Sequence, residues 1–460
     1  MKKPSSTRLI TIALGLACCV SANNAKAANS QYFTTVVNNG TYSWDAANWN
    51  ASPASGNTGP YTFNWVQGDF ARFYNGASDA YTVTVNASEQ NAGMYLNAAS
   101  ATLNINDAGG GNGSLSEVSG VDAFLLGGSS YAETIKVNVP ITGSGTVAPE
   151  GSGNLYLNVA NSYTGGTALG DSGNTLTYFN NANAFGSGGI TLNRTGIANF
   201  STLLNNAGTS VTLANNFSIA SAVGTGTGLN FASGVNSPVV SSGTWTLGTY
   251  NLNLRTAGGA TAPLTISGAI SGSGILALSG NQGGDSTGSK IILSGANPFT
   301  GTIIVTGTGG TYGGNGAITL TLGARNTISH ASNVTMAGGT LDPDGFDQAM
   351  QSTTLGLTAS STIDFSAGAS EVELANSSAL TWTGILNLVG FDTSVDALRF
   401  GTDVSGLTSA QLGKIEFNGG GLGTAELDGN GFLMIPEPST ALLGLLGGLG
   451  ILWNIRRRKA

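Results

Sequence analysis

The feature that most constrains this chain is that its apolar residues come in short alternating runs, each cut off before it reaches helix length. Tyr81-Thr82-Val83-Thr84-Val85, Leu103-Asn104-Ile105, Ile135-Lys136-Val137-Asn138-Val139 and Leu155-Tyr156-Leu157-Asn158-Val159 place apolar side chains on one face and polar ones on the other. That is the period-two pattern of a half-buried strand. Clusters of Gly, Asn and Ser separate the runs, as turns need residues tolerant of positive φ. Length alone suggests two or three domains, yet the body contains no linker and little helix signal. The one short helix expected lies near Thr408 to Lys414. With 71 glycines in 460 residues, only 9% charged residues and a positive mean hydropathy, the composition does not fit a solvated disordered chain.

Some segments echo one another. Leu157-Asn158-Val159-Ala160-Asn161-Ser162-Tyr163-Thr164-Gly165-Gly166-Thr167 is matched by Leu293-Ser294-Gly295-Ala296-Asn297-Pro298-Phe299-Thr300-Gly301-Thr302. Each copy follows an Ile-x-Gly-Ser-Gly element, at Ile141 to Gly145 and at Ile270 to Gly274. Asn161 and Asn297 are too far apart for a single repeat unit, so the copies read as two coils in a degenerate array. The expected fold is therefore all-β, a parallel β-helix-like solenoid. Each coil buries its inward residues against the coils above and below, Gly and Asn turn the corners, and Asn or Thr can form polar ladders. Coils of about 20 to 25 residues with strands about 4.8 Å apart predict a rod roughly 75 to 100 Å long.

Both ends of the chain read as targeting segments. Lys2, Lys3 and Arg8 precede an apolar run from Leu9 to Val20 and a polar stretch closing on Ala25-Lys26-Ala27. This is the layout of a secretory signal peptide, with Ala25, Ala27 and Ala28 around the expected signal peptidase cut. Both cysteines, Cys18 and Cys19, fall inside it, so the exported chain is expected to lack disulfides and thiolate chemistry. At the other end, Pro436-Glu437-Pro438-Ser439-Thr440 leads into an apolar run from Ala441 to Trp453 and then to Arg456, Arg457, Arg458 and Lys459. Residues 439–455 are just long enough for a single transmembrane helix. The basic cluster behind it stays cytoplasmic and leaves the body outside. Gly444, Gly447, Gly448 and Gly450 weaken a helix in water but allow close helix contact in lipid.

This three-part tail resembles the C-terminal sorting signal called PEP-CTERM. The resemblance implies export in a Gram-negative cell and cutting near Pro436, Glu437 and Pro438 by an exosortase-like enzyme, with those residues as a substrate site. It also implies anchoring in the inner membrane facing the periplasm before release to the cell surface or the medium. The phrase Gly-Ala-Asn-x-(Phe/Tyr)-Thr-Gly is similar to the autotransporter-associated β-strand repeat. Further degenerate echoes are Asn183-Ala184-Phe185-Gly186-Ser187-Gly188 and Ala337-Gly338-Gly339-Thr340-Leu341-Asp342. The opening Trp44-Asp45-Ala46-Ala47-Asn48-Trp49 and the closing Thr381-Trp382-Thr383-Gly384 and Leu398-Arg399-Phe400-Gly401 to Ile415-Glu416-Phe417 also resemble such proteins. An autotransporter ends in a large β-barrel; this chain ends in an apolar helix-length run, so self-translocation is not implied. The expected divisions are 1–27 signal peptide, 28–135 N-terminal β region and solenoid cap, 136–350 solenoid with repeats, 351–434 C-terminal β region, and 435–460 sorting signal with transmembrane helix.

Eight of the sixteen basic residues lie in the two terminal signals, and the remaining eight face 24 acidic ones, a balance near −16. Such a surface repels phosphate backbones, so no nucleic acid partner is expected. Extracellular polysaccharide, cations and basic surfaces remain open as partners. Gly284-Asp285-Ser286-Thr287-Gly288 matches a nucleophile-elbow spacing and Gly170-Asp171-Ser172-Gly173 a protease serine loop, but neither has its histidine partner in a chain whose one histidine is His330. That single histidine also argues against a zinc site. Asp342-Pro343-Asp344-Gly345-Phe346-Asp347 opens like a calcium loop but has Thr353 where the bidentate Glu should be, and a turn between coils is the simpler reading. Glu371 and Glu373 share one strand face and are able to flank a sugar; a solvent-facing strand gives the same pattern. Trp44, Trp49, Phe63, Trp65 and Phe70 form either a sugar-stacking platform or a cap on the solenoid core. No catalytic residue, metal or cofactor is expected. The first reading is a structural or adhesive exported protein; the alternatives are a polysaccharide-acting hydrolase or lyase and a passive carbohydrate-binding protein.

Overall fold

The computed structural model describes residues 30–435 apart from the stretches 35–39, 51–63, 75–79, 98–99, 119, 127–132, 171–174, 194–199, 221–227, 234–236, 258–260, 281–287, 309–315, 329 and 420–424. The chain winds as a parallel β-solenoid of about 11 turns. Each turn passes through up to three sheets in a fixed order. The longest sheet has 13 strands and runs from Thr41–Ser43 to Thr354–Ala359. The second step of the turn carries a three-stranded sheet ending at Ile141–Gly143 and a nine-stranded sheet from Val211–Leu213 to Ile415–Phe417. The third step carries an eleven-stranded sheet whose coil strands end at Ile270–Ser271, and a three-stranded sheet, Gln348–Met350, Glu371–Leu374 and Ala397–Phe400. Parallel neighbours need a long return connection. Here the return is the rest of the coil.

The four alternating runs of the sequence are consecutive strands of the longest sheet. Tyr81 faces Leu103, Leu103 faces Ile135 and Ile135 faces Leu155, while Val83, Ile105, Val137 and Leu157 form the next inward column. All eight side chains are buried. A register slip by one residue would turn every one of them outward, so burial fixes the register. The polar residues between them line up on the outside. Asn138 Nδ2 donates to Asn106 Oδ1 at 2.7 Å and Asn158 Nδ2 to Asn138 Oδ1 at 2.6 Å. Beside this ladder the rings of Tyr156 and Tyr178 stack at 4.1 Å, with the Lys136 ammonium 5.4 Å from Tyr156.

The repeated phrase is a bolt between coils. In the first copy Asn161 Oδ1 accepts the Ile141 N–H of the previous coil at 2.8 Å, and Nδ2 donates to the Ala184 carbonyl of the next at 2.6 Å. In the second copy Asn297 accepts from Ile270 at 2.7 Å and donates to Thr327 at 2.9 Å. Thr164 and Thr300 donate their backbone N–H to Gly143 and Gly272 of the preceding Ile-x-Gly-Ser-Gly elements. Gly165 lies so close to the Gly145 backbone, and Gly301 to that of Gly274, that a Cβ has no room. Tyr163 and Phe299 point into the core. The echo at Asn183 lies on the coil above the first copy, where its carbonyl accepts the Asn161 N–H. The echo at Ala337 is a strand-to-strand corner without the asparagine. The first copy occupies the second step of its turn and the second copy the third step, so the bolt does not belong to one face.

Coil lengths vary more than expected: Ile135 to its partner Leu155 is 20 residues, whereas Leu103 to Ile135 is 32. Longer coils mean fewer of them. Thirteen strands at about 4.8 Å give the longest sheet a depth of about 60 Å, and the coils carrying Glu371–Leu374 and Ala397–Phe400 continue the stack beyond its last strand. Both ends are closed, which protects sheet edges from pairing with other chains. At the N-terminal end Trp49–Asn50 pairs antiparallel with Ser30–Thr34. Trp44, Trp49, Trp65 and Phe73 pack together, with Trp44 and Trp49 ring centres 5.2 Å apart and Trp49 and Trp65 4.6 Å apart. At the C-terminal end the expected helix is Ser409–Leu412. Thr408 and Gln411 form a capping box, and Gln411 Nε2 reaches the Ser377 and Leu380 carbonyls. An antiparallel pair, Glu426–Leu427 with Leu433–Met434, follows it.

Candidate binding groove on the C-terminal coils

Three successive coils bring Gln351, Glu373 and Arg399 into one row. Ala349 faces Glu373 and Glu373 faces Arg399 in the parallel ladder, and Gln351 follows just past the end of its strand, so side chains 22 and 26 residues apart in sequence become neighbours. Glu373 Oε1 accepts from Arg399 Nη1 at 2.6 Å and Oε2 from Gln351 Nε2 at 2.7 Å. The pair is mostly shielded, with the Glu373 and Arg399 side chains 15% and 20% exposed. Arg399 Nε also donates to the Asn430 carbonyl at 3.1 Å, and its guanidinium lies 5.4 Å from the Phe432 ring. Gly401, Thr402 and Asp403 form one wall above this row; Asn376, tied to the Ser405 carbonyl at 3.1 Å, forms another. The groove is open to solvent on one side and has a volume of about 260 Å³.

The Ser405 hydroxyl and backbone N–H hold the Asp403 carboxyl below the usual carboxylate range. A glycosidase needs one carboxyl with a raised pKa as proton donor, and Asp403 is shifted the other way. The groove sets hydrogen-bond acceptors and donors side by side.

Glu371 and Glu373 do share the outward face of Glu371–Leu374. Their surroundings differ. The Glu371 backbone N–H donates to Asp347 Oδ1 at 3.0 Å, and Asp347 Oδ2 meets Arg325 Nη1 at 2.5 Å. Asp342 accepts from Asp344 N at 2.8 Å and from Thr321 Oγ1 at 3.1 Å, and lies 3.6 Å from Lys290. Asp344 has φ 55° and Gly345 φ 75°, so this segment is a turn whose carboxylates bond neighbouring coils. His330 is exposed on a turn. Trp44, Trp49 and Trp65 are buried in the N-terminal cap, with the Trp49 and Trp65 indole N–H groups bonded to the Trp44 and Gln90 carbonyls. The sugar-stacking reading of these tryptophans fails because their faces are covered by one another. Phe70 is half-buried beside Arg72.

Ala25, Ala27 and Ala28, Pro436, Glu437 and Pro438, Arg456, Arg457, Arg458 and Lys459, Phe63, Ser172 and Ser286 all lie outside the described residues. Among the described residues no helix is long and apolar enough to cross a membrane. Gln351, Asn376 and Asp403 carried no sequence signal, because their meeting depends on coil register. Comparison of the chain with protein-family models, curated proteins and solved structures finds no match.

Proposed function

We propose that this chain is an exported structural or adhesive protein, a β-solenoid rod delivered to the cell surface or medium through a PEP-type tail. The observation that carries the reading is the order of the tail: Pro436-Glu437-Pro438, the apolar run from Ala441 to Trp453, then Arg456, Arg457, Arg458 and Lys459. The N-terminal basic and apolar segment ending at Ala27 directs the same topology. Signal peptidase and an exosortase-like sorting enzyme are its processing partners, and the inner membrane holds it through the C-terminal helix until cutting. A capped stack of coils suits a spacer or adhesin, since stability accumulates coil by coil and the outer faces are free to vary.

Intact mass of the protein recovered from membrane and medium tests this. The expected result is a mature start at Ala28 and loss of the segment beyond the Pro-Glu-Pro motif, abolished by Pro436→Ala/Pro438→Ala. An intact tail in both fractions would overturn sorting. The competing reading, a polysaccharide hydrolase or lyase, draws on Glu371 and Glu373 sharing the outward face of one strand. It predicts depolymerisation of an acidic polysaccharide, lost in Glu371→Gln.

A further inference from the structure

We infer that the groove over Gln351, Glu373 and Arg399 is a binding site for a neutral sugar unit of a glycan. This names a ligand class for the adhesive reading above, but it stands on the groove's chemistry and does not require tail processing.

The groove is fixed before any ligand arrives. Glu373 and Arg399 are held in register by the sheet and by their ion pair, Gln351 by its hydrogen bond to Glu373, and Asn376 is tied to Ser405. A site whose side chains are already ordered loses little freedom on binding. Its volume, about 260 Å³, lies just below the roughly 300 Å³ at which pockets for drug-sized molecules begin. That is room for a single ring.

Charge selects the class. Two carboxylates, Glu373 and Asp403, and one guanidinium line the groove, so a uronate, sulfate or phosphate enters against a net negative charge. An ammonium has Arg399 in the floor, and both oxygens of Glu373 are engaged by protein donors, which disfavours a bare cation. A sugar hydroxyl both donates and accepts. Among the described residues, two of the five N–H groups of Arg399 are engaged. With the Asp403 carboxylate lining the same groove, vicinal hydroxyls find both an acceptor and a donor there.

The test uses the full chain in a zwitterionic detergent, since a glycosidic detergent would compete. Saturation-transfer NMR and calorimetry are run with hexaoses of glucose, mannose and galactose and with a hexaose of galacturonic acid. The proposal predicts binding of at least one neutral hexaose and none of the uronate. Thr402→Trp, which fills the groove from an exposed wall position, should weaken that binding at least tenfold. Asp403 caps the short helical turn Val404–Gly406; Asp403→Asn keeps a competent cap there and should weaken binding severalfold. Unchanged thermal unfolding assigns these losses to the site; should Thr402→Trp unfold, Asp403→Asn decides. Binding of none of the four, binding of the uronate alone, or neutral binding untouched by both substitutions would each overturn the proposal. Failure here with normal tail processing would leave the sorted rod standing, and the reverse would leave a glycan-binding solenoid.

Discussion

Glu89 sits where a carboxylate is hardest to maintain. It is 3% exposed, beside the Trp44–Trp49 loop, with Gln67 Nε2 on Oε2 at 2.5 Å and the Asp45 carboxyl within hydrogen-bond reach. Burial first, and then the Asp45 contact, push it up to about 7 from an ordinary 4.5. Two carboxyl groups can share a hydrogen bond only while one keeps its proton. The folded state therefore holds this proton longer than the unfolded chain does. Its stabilising effect is complete below pH 4.5 and is lost as pH rises through about 7. Once solvent near exposed Asp45 is allowed for, the loss is about 1 to 2 kcal/mol. Thermal unfolding at pH 5 and pH 8 should show the N-terminal cap loosening at the higher pH, read by tryptophan fluorescence from Trp44, Trp49 and Trp65. Glu89→Gln should remove most of the difference. An equal pH dependence in that variant would place the titrating group elsewhere.

The bolts make a sharper demand on individual elements. Asn161→Ala leaves the Ile141 N–H and the Ala184 carbonyl without their partner inside the stack, and Asn297→Ala does the same to Ile270 and Thr327. A buried group stripped of its partner costs about 1 to 3 kcal/mol. Each substitution should therefore lower stability by about 2 to 4 kcal/mol in denaturant unfolding, whereas Asn183→Ala, whose contact is through its backbone carbonyl, should change it by under about 1 kcal/mol. Similar losses at all three would mean that the repeat phrase has no special place between coils. These bolts were half legible: the recurrence of Asn, aromatic and Gly after Ile-x-Gly-Ser-Gly was visible, but its partners were not. The long runs such as Tyr81 to Val85 were readable because alternation over five residues is hard to produce by chance. Strands of two residues, such as Trp245–Thr246 and Ile270–Ser271, are too short to alternate and are held in place by the coils around them. The groove was less legible for the same reason. Glu373 stood out by its spacing from Glu371, but nothing local to Gln351 or Asp403 indicates which residue lies one coil away.

At the scale of the molecule, contacts run from each coil to its neighbours, so the rod should tolerate the loss of a whole coil and not of a fraction. Leu155 faces Thr177, and Phe179 succeeds Leu157 in the same inward column. Deleting residues 155–176 therefore joins Asn154 to Thr177 with every later residue in phase. Thr177 and Phe179 replace Leu155 and Leu157 above Ile135 and Val137, and Asn183 arrives where Asn161 had met the Ile141 N–H. Deleting only 155–165 removes half that length. It puts polar corner residues into the inward column and turns apolar ones outward, the consequence of any register error in a sheet with one buried face. The whole-coil deletion should keep the β-sheet circular dichroism spectrum and a cooperative transition. Its maximum dimension by small-angle scattering should shrink by about one strand spacing of 4.8 Å. The half-coil deletion should lose cooperativity or aggregate, as a chain with an unpaired coil edge does. Equal damage from both would show that the stack folds as one indivisible unit, and a nearest-neighbour account of its stability would have to be abandoned.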